Sequence, residues 1–468
     1  MKRGAKTRLR TILVHAVWFF FALVATNAAH AVPSFARQTG MPCTSCHINS
    51  FGPKLNEFGR SFKLTGYSLG QSTIPLSGMI QGPSFTHVAK SVDAASENFD
   101  TNDNLTVDQL SLFVAGKLFN TSVANAGLFA QITYDSNNNK LGWDNTDLRL
   151  ARNVTIANEG VNLGISLNNN PTVQDLWNTT PAWGFPFAGT AVPDIPAPMF
   201  PTAAPLITSL GAQVGGATVY ALIDQWFYVE AGAYTTLSTA AQIALGAGNP
   251  TAIQTENQID GGAPYWRVAI QHNFKNAYLE VGHYGLDADI LPQRTRAFGH
   301  DHYTDLGLDA SFDYRPTGND DHILQLWGTY IWEDQHLPAS ANLNFVNNFG
   351  EAGPLASNVD NNLYAYHVVG AYTYAQTYQL NFGYFNEHGT FDDLASGGTP
   401  PGTEGIVAEF DYTPFGKTDS LWAPYLNARF AVQYTAYSKF AGRSTNYDGL
   451  GRNASDNDTL FLNAWFIF

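Results

Sequence analysis

Cysteine is almost missing from this chain: there are two, Cys43 and Cys46. That excludes a disulfide scaffold and a four-cysteine zinc site. Charge is scarce too. Asp, Glu, Lys and Arg make up 13% of the 468 residues, about half the share of an ordinary soluble domain. Of the 24 basic residues, five (Lys2, Arg3, Lys6, Arg8 and Arg10) sit in the first ten positions. Without them, 19 basic residues face 39 acidic ones, a net charge of about −20. Such a field repels nucleic acid and attracts cations to an acidic pore or loop. Beyond the N-terminus no apolar run approaches the ~18 residues of a membrane helix, and no internal repeat suggests a propeller.

What the chain does have is aromatic: 22 Tyr, 31 Phe and 10 Trp, 13% in all. Few charges, many rings and a mean hydropathy of −0.15 suit a chain whose residues alternate between lipid and water. Residues 1–31 read as a secretory signal peptide. A basic start is followed by an apolar core from Thr11 to Val24 and the small-residue cleavage site Ala29-His30-Ala31. The mature protein then begins at Val32 and is exported, with residues 32–74 as one unit and 75–468 as another.

From Leu76 onward the hydrophobic period is two. Val161, Leu163, Ile165 and Leu167 alternate with Asn162, Gly164, Ser166 and Asn168; Tyr364, Tyr366 and Val368 alternate with Ala365, His367 and Val369. Each run is a weak signal, but the pattern recurs sixteen times, centred near 84, 112, 129, 150, 164, 217, 231, 269, 281, 308, 327, 368, 382, 408, 431 and 462. Connections after even-numbered runs are mostly tight, and those after odd-numbered runs are mostly long, the asymmetry of an outer-membrane barrel. The last residue is Phe468, on one face with Leu460, Leu462, Ala464 and Phe466, an ending that resembles the barrel-insertion signal. The expectation is an all-β fold: a 16-stranded antiparallel transmembrane β-barrel in the bacterial outer membrane, with lipid around it. A Pro-rich loop from Asn169 to about Leu210 either folds inward or caps the outer mouth.

Cys43-Thr44-Ser45-Cys46-His47 behind an export signal is the attachment pattern of a c-type haem. The thiols add across two vinyl groups, and the adjacent imidazole becomes the proximal iron ligand. A zinc site needs a second ligand pair, and a thioredoxin-like dithiol needs a βαβ context; neither is present. The expectation is a small α-helical segment over 32–74 carrying one covalent haem c on Cys43, Cys46 and His47. Phe51, Leu55, Phe58 and Phe62 recur on one helical face, with Pro53 as its first residue. About 43 residues cannot build a large core alone, so haem and barrel wall supply the missing apolar surface. For the distal iron position Met79 is the best methionine, and His87 and His367 are the histidines to consider.

Asp305, Asp309 and Asp313 share one face of the tenth run, with Glu230, Glu280, Glu409 and Asp411 on other polar faces, and Arg149 and Arg429 facing inward as well. Carboxylates suit hard divalent cations, though a porin lumen of balanced charge has the same composition. Gly299-His300-Asp301-His302 gathers metal-ligand types at close spacing.

The run from Pro33 to His47 (PSFARQTGMPCTSCH), with Phe51 to Arg60 (FGPKLNEFGR) and Leu64 to Tyr67 (LTGY), resembles the outer-membrane monohaem cytochrome–porin fusions, in particular their iron-oxidase branch. The likeness is specific over 33–67 and architectural beyond. It implies a 16-stranded porin carrying one haem, with Cys43 and Cys46 as covalent attachments, His47 as iron ligand and Arg37 near a propionate. It also implies that extracellular Fe(II) is the substrate, that a periplasmic electron-accepting cytochrome is the partner, and that the chain is an Fe(II) oxidase. A porin-type solute channel with a haem plug, and outward electron transfer to an extracellular acceptor, are the alternatives.

Overall fold

Alternating residues build a wall. In the computed structural model sixteen long strands run antiparallel: β1 Leu76–Val88, β2 Gln109–Asn120, β3 Asn125–Asp135, β4 Lys140–Ile156, β5 Glu159–Asn168, β6 Val214–Ile223, β7 Phe227–Thr236, β8 Ala263–Asn273, β9 Ala277–Leu291, β10 Asp301–Tyr314, β11 His322–His336, β12 Asp360–Tyr374, β13 Tyr378–Gly389, β14 Thr403–Tyr412, β15 Asn427–Lys439 and β16 Thr459–Ile467. Each pairs with its successor, and β1 pairs with β16 (Met79 opposite Ile467, Val88 opposite Thr459), so the sheet closes without an edge. Two short strands, Asn104–Thr106 and Gln258–Ile259, extend the same sheet at its outer end. The structure describes residues 33–468 except 73, 93–98, 136–139, 194, 199, 248–252, 254–255, 418–419, 421 and 423–424. The expected export signal, residues 1–31, and Met199 lie outside the described residues.

All sixteen expected centres fall inside these strands. The outward positions form an apolar band: Leu163, Ile165, Val219, Val281, Leu326 and Phe382 are exposed on strands spaced around the barrel. Rings border it. Tyr374, Tyr378, Tyr412 and Phe430 stack along one rim, and Trp332, Tyr364 and His388 along the other. An apolar belt between two aromatic girdles marks an outer-membrane barrel, and that is where this molecule resides.

Two stretches of chain lie inside the wall. Residues 33–74 occupy the periplasmic end, with helix α1 (Pro33–Thr39) and helix α2 (Glu57–Leu64). The loop between β5 and β6 turns inward, running from Lys63 of the segment, which donates to the Val173 carbonyl, to Asp305 and Glu387 of the wall. Its backbone is held by wall carboxylates: Asp305 accepts from the Ile207 N–H at 2.7 Å, and Glu387 from the Thr202 N–H at 2.7 Å. Asp108, in the connection between β1 and β2, accepts from the Ala191 N–H at 2.9 Å. An inward loop therefore meets the polar groups that its own backbone needs.

The inward charges are paired. Arg267 is fully buried and reaches Asp309 at 2.7 Å, Glu280 at 3.2 Å and the loop's Asp175 at 3.4 Å. Arg149 lies 2.7 Å from Asp147, and Arg429 lies 2.7 Å from Asp411 with Glu409 alongside. Removing one partner of such a group strands the others in a low-dielectric interior. Arg267→Met should therefore cost about 3–5 kcal/mol, seen as earlier thermal unfolding of the purified barrel in detergent. An unchanged unfolding curve would show that this cluster does not hold the loop to the wall.

Candidate haem site in the lumen

The attachment motif turns where the backbone can turn. Cys43–Ser45 forms one 3₁₀ turn, and His47 pairs with Leu55 across a bridge. The chain between them doubles back through Gly52 at φ 95°, a conformation that favours glycine. Helix α2 starts later than the periodicity suggested. Asn56 caps it by accepting from the Gly59 N–H at 3.0 Å, so Phe51 and Pro53 precede the helix rather than opening it. Phe51 and Leu55 still face the same space as Phe62. Gly59 makes the close packing of this unit possible: a Cβ there would lie 2.3 Å from the Cys46 carbonyl oxygen.

Basic side chains fasten the segment to the barrel. Lys54 Nζ donates to the Trp177 carbonyl at 3.3 Å and lies over the Trp327 ring. Arg60 lies over the Tyr278 ring at 3.8 Å and 4.0 Å from Asp313. Lys63 Nζ donates to the carbonyls of Val173 and Asp175 at 2.8 and 2.6 Å and to Asn178 Oδ1 at 3.2 Å. Neutral contacts complete the ring: Tyr67 O–H donates to Asp147 at 2.6 Å, Tyr220 O–H to the Leu64 carbonyl at 2.7 Å, and Asn49 to Gln379 at 2.6 Å. Sequence reasoning did not assign these lumen anchors, although three cations spaced through a short apolar segment are the signal that marks them.

Between the segment and the wall lies a cavity of about 410 Å³. Cys43, Cys46 and His47 line it from the segment, and Met79 and Trp465 from the wall. Its surface is largely aromatic: Phe35, Phe51 and Phe62 from the segment, Phe113 and Phe129 from β2 and β3, and Trp183 and Phe187 from the inward loop. Gln81, Gln109, Gln131 and Asn145 supply a polar part. His47 Nδ1 is buried with no hydrogen-bond partner among the described residues. Burial pushes its imidazole down to about 4, which leaves it neutral, the form that binds a metal. Burial, with the neighbouring Cys43 thiol second, pushes Cys46 up to about 12. A large apolar macrocycle with a polar edge, two vinyl groups and an iron needing one imidazole matches this donor set.

Other candidates lie elsewhere. His87 faces outward on β1 and contacts Asp103 at 2.7 Å, not the lumen. Arg37 donates to the carbonyls of Ile74 and Leu76, and it is not part of the cavity. His367 is luminal and buried with neither ring nitrogen paired, yet it does not line the cavity. His300 and His302 sit at the outer rim beside Asp287 and Asp289, while Asp301 turns inward to accept from the N–H groups of Ala339 and Ser340. Among the described residues no group of three or more His, Cys, Asp or Glu is arranged to hold a metal ion.

Gly59→Ala should drive α2 away from the Cys46 carbonyl at an overpacking cost of about 1–3 kcal/mol. The expected sign is faster protease cleavage within 33–74 in the purified protein, with Gly160→Ala, at a site where a Cβ meets nothing within 4 Å, as the control. Equal cleavage rates for both variants would contradict the packing described.

No family model matches the chain, and no curated protein matches it. Among solved structures it is similar to OmpT of Vibrio cholerae, at 10% identity over 85% of this chain and 99% of that one, with a TM-score of 0.46. It is similar to the anion-selective porin from Comamonas acidovorans at 12% identity over 84% and 98% of the two chains, TM-score 0.44. Salmonella typhi OmpF in complex with daunomycin is similar at 11% identity over 84% and 97%, TM-score 0.43. The likeness extends to the form of the barrel and no further.

Proposed function

We propose that this outer-membrane barrel carries one covalent haem c and passes electrons from extracellular Fe(II) to a periplasmic cytochrome, as the resemblance over residues 33–67 implies. One observation carries the reading: Cys43, Cys46, a buried His47 and an aromatic cavity converge inside the lumen. Cys43 and Cys46 would hold the macrocycle, and His47 would bind its iron. A haem bound there supplies reversible one-electron chemistry. Phe35, Phe62 and Trp465 exclude water around it. Lys54, Arg60 and Lys63 keep the segment seated, so the cofactor cannot drift into the periplasm.

The same architecture admits a second reading, a porin-type solute channel with the segment as plug. The barrel itself favours it, since sixteen strands around an acidic interior are the plan of a diffusion pore. The third reading, outward electron transfer, differs only in direction. Against the channel reading stand the two stretches of chain inside the barrel, the segment and the β5–β6 loop.

Stopped-flow mixing of purified protein with Fe(II) tests the iron claim: reduction of the haem on a catalytic timescale supports it, and an inert haem removes it. Planar-bilayer conductance tests the channel claim. A filled conduit passes little ion current, whereas a diffusion channel shows stable open steps.

A further inference from the structure

We propose that Met79 is the second axial ligand of the haem iron, so that the iron joins the N-terminal segment to the barrel wall. The assignment deepens the haem reading above and rests on it.

The strand places Met79 inward. On β1 the odd positions Ser77, Met79 and Gln81 are buried, and a register shift follows between Gln81 and Ser84, beyond which Ser84, Thr86 and Val88 point in. Met79 is 4% exposed and lies between Ser111 of β2 and Ile467 of β16. It lines the cavity from the wall, whereas His47 lines it from the segment.

The other possible donors are spent or absent. Cys43 and Cys46 are the attachment thiols. Lys63 Nζ already donates to three acceptors, and Tyr67 O–H to Asp147. Met41 is exposed at the foot of the segment, outside the cavity lining, and neither His87 nor His367 lines the cavity. Among the described residues this leaves one soft, uncharged donor, the Met79 thioether. Thioether sulfur is a soft ligand that binds haem iron, and a Met/His pair raises the potential relative to bis-His ligation. That is the sense needed for oxidising Fe(II). A ligand on β1 also means that iron ligation and seating of the segment are one event.

The test uses purified holoprotein in detergent. The ferric native protein should show the weak long-wavelength thioether-to-iron charge-transfer band, and its ferrous form should bind carbon monoxide poorly. In Met79→Leu the band should vanish and carbon monoxide binding should appear, with haem content unchanged. Met79→His should stay low-spin and shift to a lower potential. A native spectrum without the band while haem is attached, or a band that survives Met79→Leu, overturns the assignment. The native spectrum alone decides even if a variant fails to fold. Native protein without covalent haem overturns the haem reading itself, which separates that failure from the failure of Met79.

Discussion

Residues 33–74 are too few to enclose a core, and the barrel wall is the surface against which they fold. Cys46 packs on Gly59 and Phe62 packs on Phe35 and Tyr67, and around that small shell the segment is held by strands, their turns and the inward loop. The fit is reciprocal. A barrel of this width leaves a lumen that its own side chains do not fill, and the segment with the loop between β5 and β6 takes up that space.

Burial of so much polar wall follows from the same constraint. Arg149, Arg267 and Arg429 are each among the most completely buried side chains, and each is matched to carboxylates within the lumen. In a water-filled pore these groups would be solvated; under a plug they must be paired. Lys54, Arg60 and Lys63 of the segment obey the same rule, aimed at loop carbonyls, aromatic faces and Asp313. Lumen charge here organises packing as much as it could select a solute.

Much of this was legible in the chain. Alternation located all sixteen strands because each faces lipid on one side and protein on the other, and the inward acids Asp305, Asp309 and Asp313 fell on the expected face. The cysteine–histidine motif located the candidate site. The direction of the Pro-rich loop was not legible, because it depends on backbone N–H groups meeting Asp305, Glu333 and Glu387 on strands far away in sequence. Helix α2 starts after Pro53 because the Asn56 side chain accepts the Gly59 N–H and caps it there. Arg37 and His87 could be placed only once the segment's depth in the barrel was known.

Electron transfer by this protein requires one porphyrin joined by two thioether links to a chain that spans the outer membrane. Intact-mass spectrometry of protein purified from outer membranes tests this most directly. The prediction is a single species equal to the chain from Val32 plus one haem, with the added mass confined to the peptide that contains Cys43 and Cys46. A mass equal to the unmodified mature chain, with both thiols alkylated after unfolding, would contradict it.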